Sequence, residues 1–240
     1  MPGQELAPSM AEMALEQGAY FLLCDSRSRC WRDPTARAWL RTLINPYSLL
    51  EQVNPDIRRF WAPAGSLLPV WLHNAQHVTA PLAPPPTPAL RLALYEQQPE
   101  YRMLAAIMAD LLAARGFALE IEELDYERWT QGEADVDLWL GSVNFSAPEQ
   151  WSAGAWLLAT PLLRLSISGG DGALLAQWHR QWRQQQLSSE ALVRQVVQSD
   201  WLQPLFHHWL RLQSPARSHG IRLNRLGWFD FKSAWLEPDN

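Results

Sequence analysis

The residues able to do chemistry are few and scattered. His207 and His208 are neighbours. On a strand their side chains point to opposite faces, so they cannot grip one metal ion together, although His207 can line a cleft wall. Cys24 and Cys30 fit neither the C-x-x-C zinc pattern nor a disulfide framework, and the expectation is two reduced thiols. Asp135 and Asp137 share a strand face but stand where a strand begins, so acid–base use is not expected. Gly169-Gly170-Asp171-Gly172 could cradle a phosphate at a helix start. It lacks the Walker Lys-Ser/Thr and the full G-x-G-x-x-G, and reads as a turn with an Asp cap. No Ser-His-Asp or Cys-His set is recognisable. The expectation is a protein that is not an enzyme, with no cofactor and no metal.

A binding site is the better candidate. Trp139, Trp151 and Trp156 gather around the end of a strand over Val136–Val143. In open α/β sheets ligands bind beyond the carboxyl ends of strands. There Asn144, Phe145 and Trp151 would offer an amide, a ring face and an indole donor. Trp39, Trp178 and Trp182 fall on helical stripes and read as core.

The elements that must hold this site follow from periodicity and punctuation. Residues 19–24 form an apolar run suited to a buried strand. Asp33-Pro34 and Asn45-Pro46 each open a helix, because Asp and Asn cap well and Pro is tolerated at the first position. Asn54-Pro55 ends the second. Residues 61–89 are proline-rich and are expected to be irregular surface chain. Leu90, Leu92 and Leu94 alternate with other residues as in a strand. A helix follows from Pro99-Glu100, striped by Met103, Leu104, Ile107, Met108, Leu111 and Leu112 and closed near Gly116. Phe117, Leu119 and Ile121 make a second strand, so the unit is βαβ with parallel strands. A short helical piece lies around 126–132. Helices are expected near 148–158, 171–186 and 189–199, and strands over 204–212 and 221–226.

The chain has 240 residues, 48% hydrophobic and 19% charged, which excludes wholesale disorder and coiled coil. No apolar run reaches about 18 residues, so no transmembrane helix is expected. Net charge is −5, which gives no bulk argument for nucleic acid or an anionic membrane. The charge is uneven: −8 over residues 1–160 and +3 over 161–240. Nineteen of the 20 basic residues are Arg, a bias best explained by genomic base composition.

The stretch GAYFLLCDSRSRCWRDPTARAWLRTLINPYSLL (18–50) resembles the start of the second lobe of oligopeptide-type, family 5, solute-binding proteins. The later order of elements also fits. The loop in which that family often has W-x-x-D-Y-x-x-P reads GSVNFSAPEQW here. More narrowly, QPLFHHWLRLQ (203–213) and GIRLNRLGWFDFKSAW (220–235) resemble the SgrR family of bacterial transcriptional regulators, most specifically in LGWFDFKSAW at 226–235. The resemblance covers about residues 15–236. It implies a domain that in the family stands behind a winged-helix DNA-binding domain and responds to sugar-phosphate stress. It also implies that this chain begins near the second lobe, without the DNA-binding domain and most of the first lobe. Where the transporter proteins hold a peptide's α-ammonium with Asp, this chain has Asn144. An amide has no net charge to attract an ammonium, so a neutral or anionic ligand such as a sugar phosphate fits better than a peptide.

The expected fold is thus α/β: the second lobe of a periplasmic-binding-protein type II fold, a mixed sheet with a βαβ core flanked by helices. Residues 1–203 would form the lobe, and 204–240 a returning segment that crosses to the other lobe. The expected function is ligand sensing in a cytoplasmic transcriptional regulator. Asn144, Phe145, Trp151, His207 and Trp139 are the candidate ligand contacts. The partners are a small molecule, DNA only through the missing domain, no membrane, and a second copy of the chain if it dimerises. The alternatives are a solute receptor of an ABC transporter, which would need export, and a Trp-rich interaction module.

Overall fold

The computed structural model describes residues 10–69, 81–145, 154–157, 160–167, 173–215, 217–223 and 229–237. Its frame is a six-stranded sheet. β1 (Met10–Cys24) lies between β5 (Leu138–Asn144) and β6 (Leu202–Pro215), antiparallel to both. β2 (Trp61–Pro63) flanks β6. On the other side β5 pairs in parallel with β3 (Ala89–Tyr95), and β3 in parallel with β4 (Ala118–Leu124). The order is β2-β6-β1-β5-β3-β4, a mixed sheet around the expected βαβ unit.

The helices begin where the sequence places caps. In α1 (Pro34–Leu43) the Asp33 carboxylate accepts from Thr35 N at 2.9 Å, and Pro34 occupies the first turn, where its missing N–H costs nothing. Asn45 caps α2 (Pro46–Gln52) in the same way, through Tyr47 N at 2.8 Å. Asn54-Pro55, expected only to end α2, also opens a one-turn helix α3 (Pro55–Arg58), because an Asn-Pro pair is a start signal as well as a stop. α4 (Pro99–Ala113) joins β3 to β4, with Gly116 at φ +80° just after its last turn. Then come α5 (Tyr126–Gln131), α6 (Pro161–Ile167), α7 (Ala173–Arg183) and α8 (Ser189–Gln198), the last capped by Ser188. Residues 154–157 are helical.

Three expectations need correction. The first strand begins at Met10, not at residue 19, because β6 supplies a partner along that whole length. The proline-rich stretch contains β2, which ends on Pro63 at the sheet edge, where a missing amide donor is tolerated. β6 runs from Leu202 to Pro215, beyond the expected bounds of 204–212, paired with β1 throughout. It therefore spans the expected division at 203/204 as an interior strand. The expected Asp-capped turn at 169–172 lies outside the described residues.

Strand alternation divides the core between two faces. Ala19, Phe21, Leu23, Trp139 and Val143 pack under α5–α8, with Leu162, Leu163, Leu192 and Val196 fully enclosed. Tyr20, Leu22, Leu92, Leu138, Leu140 and Phe206 pack under α1, α2 and α4. Each fully buried Leu or Phe contributes roughly 1.5–3 kcal/mol. Cys24 and Cys30 lie within the second layer as free thiols, and burial pushes the Cys24 thiol up, well away from reactive thiolate.

That second layer also holds His208, stacked on Tyr20 with ring centroids 4.4 Å apart. Among the described residues its Nε2 has no hydrogen-bond partner. Burial, with His207 beside it, pushes its pKa down to about 4. At pH 7 the ring is neutral whether the chain is folded or unfolded. Below about 6.5 the unfolded chain takes up a proton that the folded chain refuses until about pH 4, so stability falls as pH falls through that window. Thermal unfolding should show a loss of about 2 kcal/mol from this group between pH 7 and pH 5. In His208→Phe, which keeps the stack and removes the titration, the loss over the same interval should be smaller by that amount.

Candidate functional site

At the carboxyl end of β5 the sheet narrows. Phe145 N donates to Gln17 O at 2.7 Å, extending the β1–β5 pairing one step past Asn144. Gly18 stands opposite Asn144, and a Cβ there would lie 2.1 Å from Val143 O. Only glycine lets the two backbones approach this closely. On the other side of β1 the register with β6 slips between Glu16 and Gly18: Glu16 faces Trp209, while Gly18 faces His208. One residue, Gln17, is extra on β1, which is a β-bulge.

The bulge sets the chemistry of this edge. Without it, alternation would put Glu16 on the face of Gly18 and Tyr20; with it, Glu16 turns to the face of His207. There Glu16 Oε1 lies 2.9 Å from His207 Nδ1, with both side chains buried. The His207 ring is 6.2 Å from that of Phe145 and 6.5 Å from that of Trp209. His208 points to the opposite face, onto Tyr20 and beside Trp61. The two histidines are thus separated by the sheet.

Among the sequence candidates, Phe145 and His207 come together on one face. Phe145 is half-buried against the core. Asn144 is exposed at the strand end, and alternation places it on the face of Ser142, whose Oγ accepts from Tyr101 Oη at 2.8 Å. Burial raises the Tyr101 phenol to about 12, so it stays protonated and donates. Trp139 is wholly enclosed, and its Nε1 donates to Asp25 Oδ2 at 2.9 Å, toward the far end of the strand. Trp151 lies outside the described residues. Glu16 was missed because the strand reading began at residue 19. Glu at 16 and Gly at 18 beside an apolar run were the available signal for a bulge at a strand junction.

The opposite edge of the sheet is polar but internally satisfied. Asp25, buried at the end of β1, accepts from Arg27 Nε at 2.9 Å, Arg27 Nη2 at 2.6 Å and Trp139 Nε1. The Arg27 charge is held in its protonated form by this bond. Asp137 accepts from Ser28 Oγ at 2.5 Å and from Arg91 N at 2.8 Å, and Asp135 pairs with Arg91 at 2.7 Å. A shallow hollow of about 450 Å³ lies beside Asp25, Arg27, Ser28 and Gly132–Val136. These carboxylates are engaged in holding loops. Among the described residues no group of three His, Cys, Asp or Glu could hold a metal ion. No described helix is long and apolar enough to cross a membrane.

The close approach at Gly18 gives a direct test of the edge. Gly18→Ala should cost about 2 kcal/mol or more through forced displacement of Val143, lowering the melting temperature by roughly 4–8 °C. Gly116→Ala, which meets nothing within 4 Å and strains only φ, should cost less.

No family model matches the sequence. Among individual proteins, the chain is 41% identical over 228 residues to the HTH-type transcriptional regulator SgrR of Pectobacterium atrosepticum, covering 95% of this chain and 40% of that protein. It is 41% identical over 227 residues to SgrR of Yersinia pseudotuberculosis and 38% over 224 residues to that of Photorhabdus laumondii, again 40% of each. The chain therefore spans about two fifths of the length of the curated relatives it matches. Among solved structures, NikA from Brucella suis in complex with Fe(III)-EDTA superposes with a TM-score of 0.73 at 11% identity, covering 96% of this chain and 53% of that one. The oligopeptide-binding protein AppA from Bacillus subtilis, in complex with a nonapeptide, gives 0.68 at 11% identity with the same coverages. The mixed sheet with its βαβ core is thus the fold of part of a solute-binding protein. Along nearly its whole length the chain is thus homologous to about two fifths of the SgrR transcriptional regulators, and it carries the fold of part of a solute-binding protein.

Proposed function

We propose that this chain is the ligand-sensing part of a bacterial transcriptional regulator, acting in the cytoplasm, with no catalytic activity of its own. The observation that supports this reading is the coincidence of two likenesses: 41% identity to proteins named as transcriptional regulators, and the fold of solute-binding proteins. In this reading a small polar molecule touches the sheet edge around Phe145 and His207, with Asn144 contributing from its rim; Trp151 is a further proposed contact. Trp139 is enclosed near the opposite end of β5, bonded to Asp25, and is not among these contacts. Binding would bias an attached DNA-binding segment only insofar as the ligand prefers one arrangement of the longer protein over another.

The ligand proposed is a sugar phosphate or another neutral or anionic metabolite. Asn144 has no formal charge with which to hold a peptide ammonium, and an Asp there would bring a charge worth about 1 kcal/mol at 4 Å in water. The second reading, a transport receptor for peptides, draws on the oligopeptide-binding protein among the structural neighbours. The identity to regulators weighs against it.

Amide chemical shifts of the isotope-labelled chain should distinguish the two. A hexose phosphate at millimolar concentration should move the signals of Asn144, Phe145 and His207. A dipeptide should move none. Asn144→Asp should weaken the phosphate about fivefold. Movement with the dipeptide alone would support the transport reading, and movement with neither would end the sensing proposal.

A further inference from the structure

β1 and β6 do not end where the rest of the sheet ends. β5 pairs with β1 only from Gly18 onward. Beyond that point residues 10–16 of β1 pair with 209–215 of β6, and with no other described strand. Among the described strands they form a two-stranded ribbon that continues past the end of β5. The ribbon leads to the pairs β7 (Ser218–His219) with β10 (Trp235–Leu236) and β8 (Arg222–Leu223) with β9 (Phe229–Asp230), where Phe231, Trp235 and Leu236 are exposed. An isolated two-stranded ribbon is marginally stable and free to bend where it leaves a sheet.

The bulge at Gln17 is located at that exit, and bulges are where paired strands bend and twist most readily. Across it runs the Glu16–His207 contact. The partners are not opposite each other in the ladder: His207 faces Ala19 inside the body, whereas Glu16 faces Trp209 in the ribbon. The contact is thus a diagonal tie from ribbon to body. It is buried, with side-chain exposures of 4% for Glu16 and 1% for His207. A polar contact out of water resists being broken from one side, because loss of either partner removes a group against which the other is placed. The rings of Phe145 and Trp209 flank His207 and restrict its choice of position.

We propose that Glu16 and His207 form a clamp that fixes the angle at which the β1–β6 ribbon leaves the sheet. The clamp makes this junction the point at which a change at the Phe145–His207 edge is passed to whatever the ribbon carries. The clamp itself stands on the bulge and the buried contact, and is independent of which ligand, if any, the edge receives.

Amide hydrogen exchange of the full chain tests this. In Glu16→Gln and in His207→Gln, peptides from 10–16 and 209–215 should exchange at least tenfold faster, while those from β3 and β4 keep the rates of the unaltered chain. The exchanged pair, Glu16→His with His207→Glu, should recover protection of the ribbon. Unchanged rates in the single variants, or an equal rise in ribbon and body, would overturn the clamp. Should neither single variant fold, the exchanged pair decides: native ribbon protection supports the clamp, and failure to fold or an unprotected ribbon overturns it.

Discussion

The structure depends on burying β1 on both faces and both edges. Ala19, Phe21 and Leu23 are inaccessible on one face, and Tyr20, Leu22 and Cys24 are nearly so on the other. β5 and β6 take up its backbone donors and acceptors on either side. A strand in this position has no tolerance for unpaired polar groups, since each would carry the full cost of desolvation. Every other element is arranged to satisfy it: one helical layer on each face, and two antiparallel neighbours at its edges.

The two ends of β1 resolve that demand differently. At its carboxyl end the chain must turn, and the buried Asp25 gathers the turn around itself through Arg27, Trp139 and Ser166. Charge-assisted bonds of this kind are stronger than neutral ones, and all of them here serve to hold loops. At its amino end the sheet thins to two strands, and the backbone uses a glycine and a bulge to let β5 end while β6 continues. The first end is locked, with its polar groups spent on one another. The second combines a half-buried ring, an exposed amide and a buried carboxylate–imidazole contact. The second end is therefore the candidate binding edge, while a hollow lies beside Asp25 at the first.

Much of the local structure was legible. Asp33-Pro34 and Asn45-Pro46 announced helix starts because capping is a short-range interaction between a side chain and an amide two residues on. The βαβ unit was legible because period-2 and period-3.6 apolar patterns flank one another over few residues. The LGWFDFKSAW stretch and the Gly18–Leu50 stretch pointed to the regulators and the solute-binding fold that the chain resembles. The first nine residues of β1 were not legible: Met10–Gly18 alternates poorly, and its extended form is imposed by a partner some 200 residues away. Trp139 read as a contact at a strand end, but the position of Asp25 drew its indole into the interior.

By itself, then, the sequence determined the class of fold, the starts of its helices, the parallel pairing of β3 with β4 and the opposition of His207 to His208. Each of these follows from neighbours a few residues apart. Tertiary structure alone decided how far β1 and β6 run together, that Pro63 sits at an edge, and that Glu16 meets His207. That meeting depends on one extra residue in a ladder between distant segments. A single-residue register shift reverses the face of every side chain beyond it, and no local pattern records it.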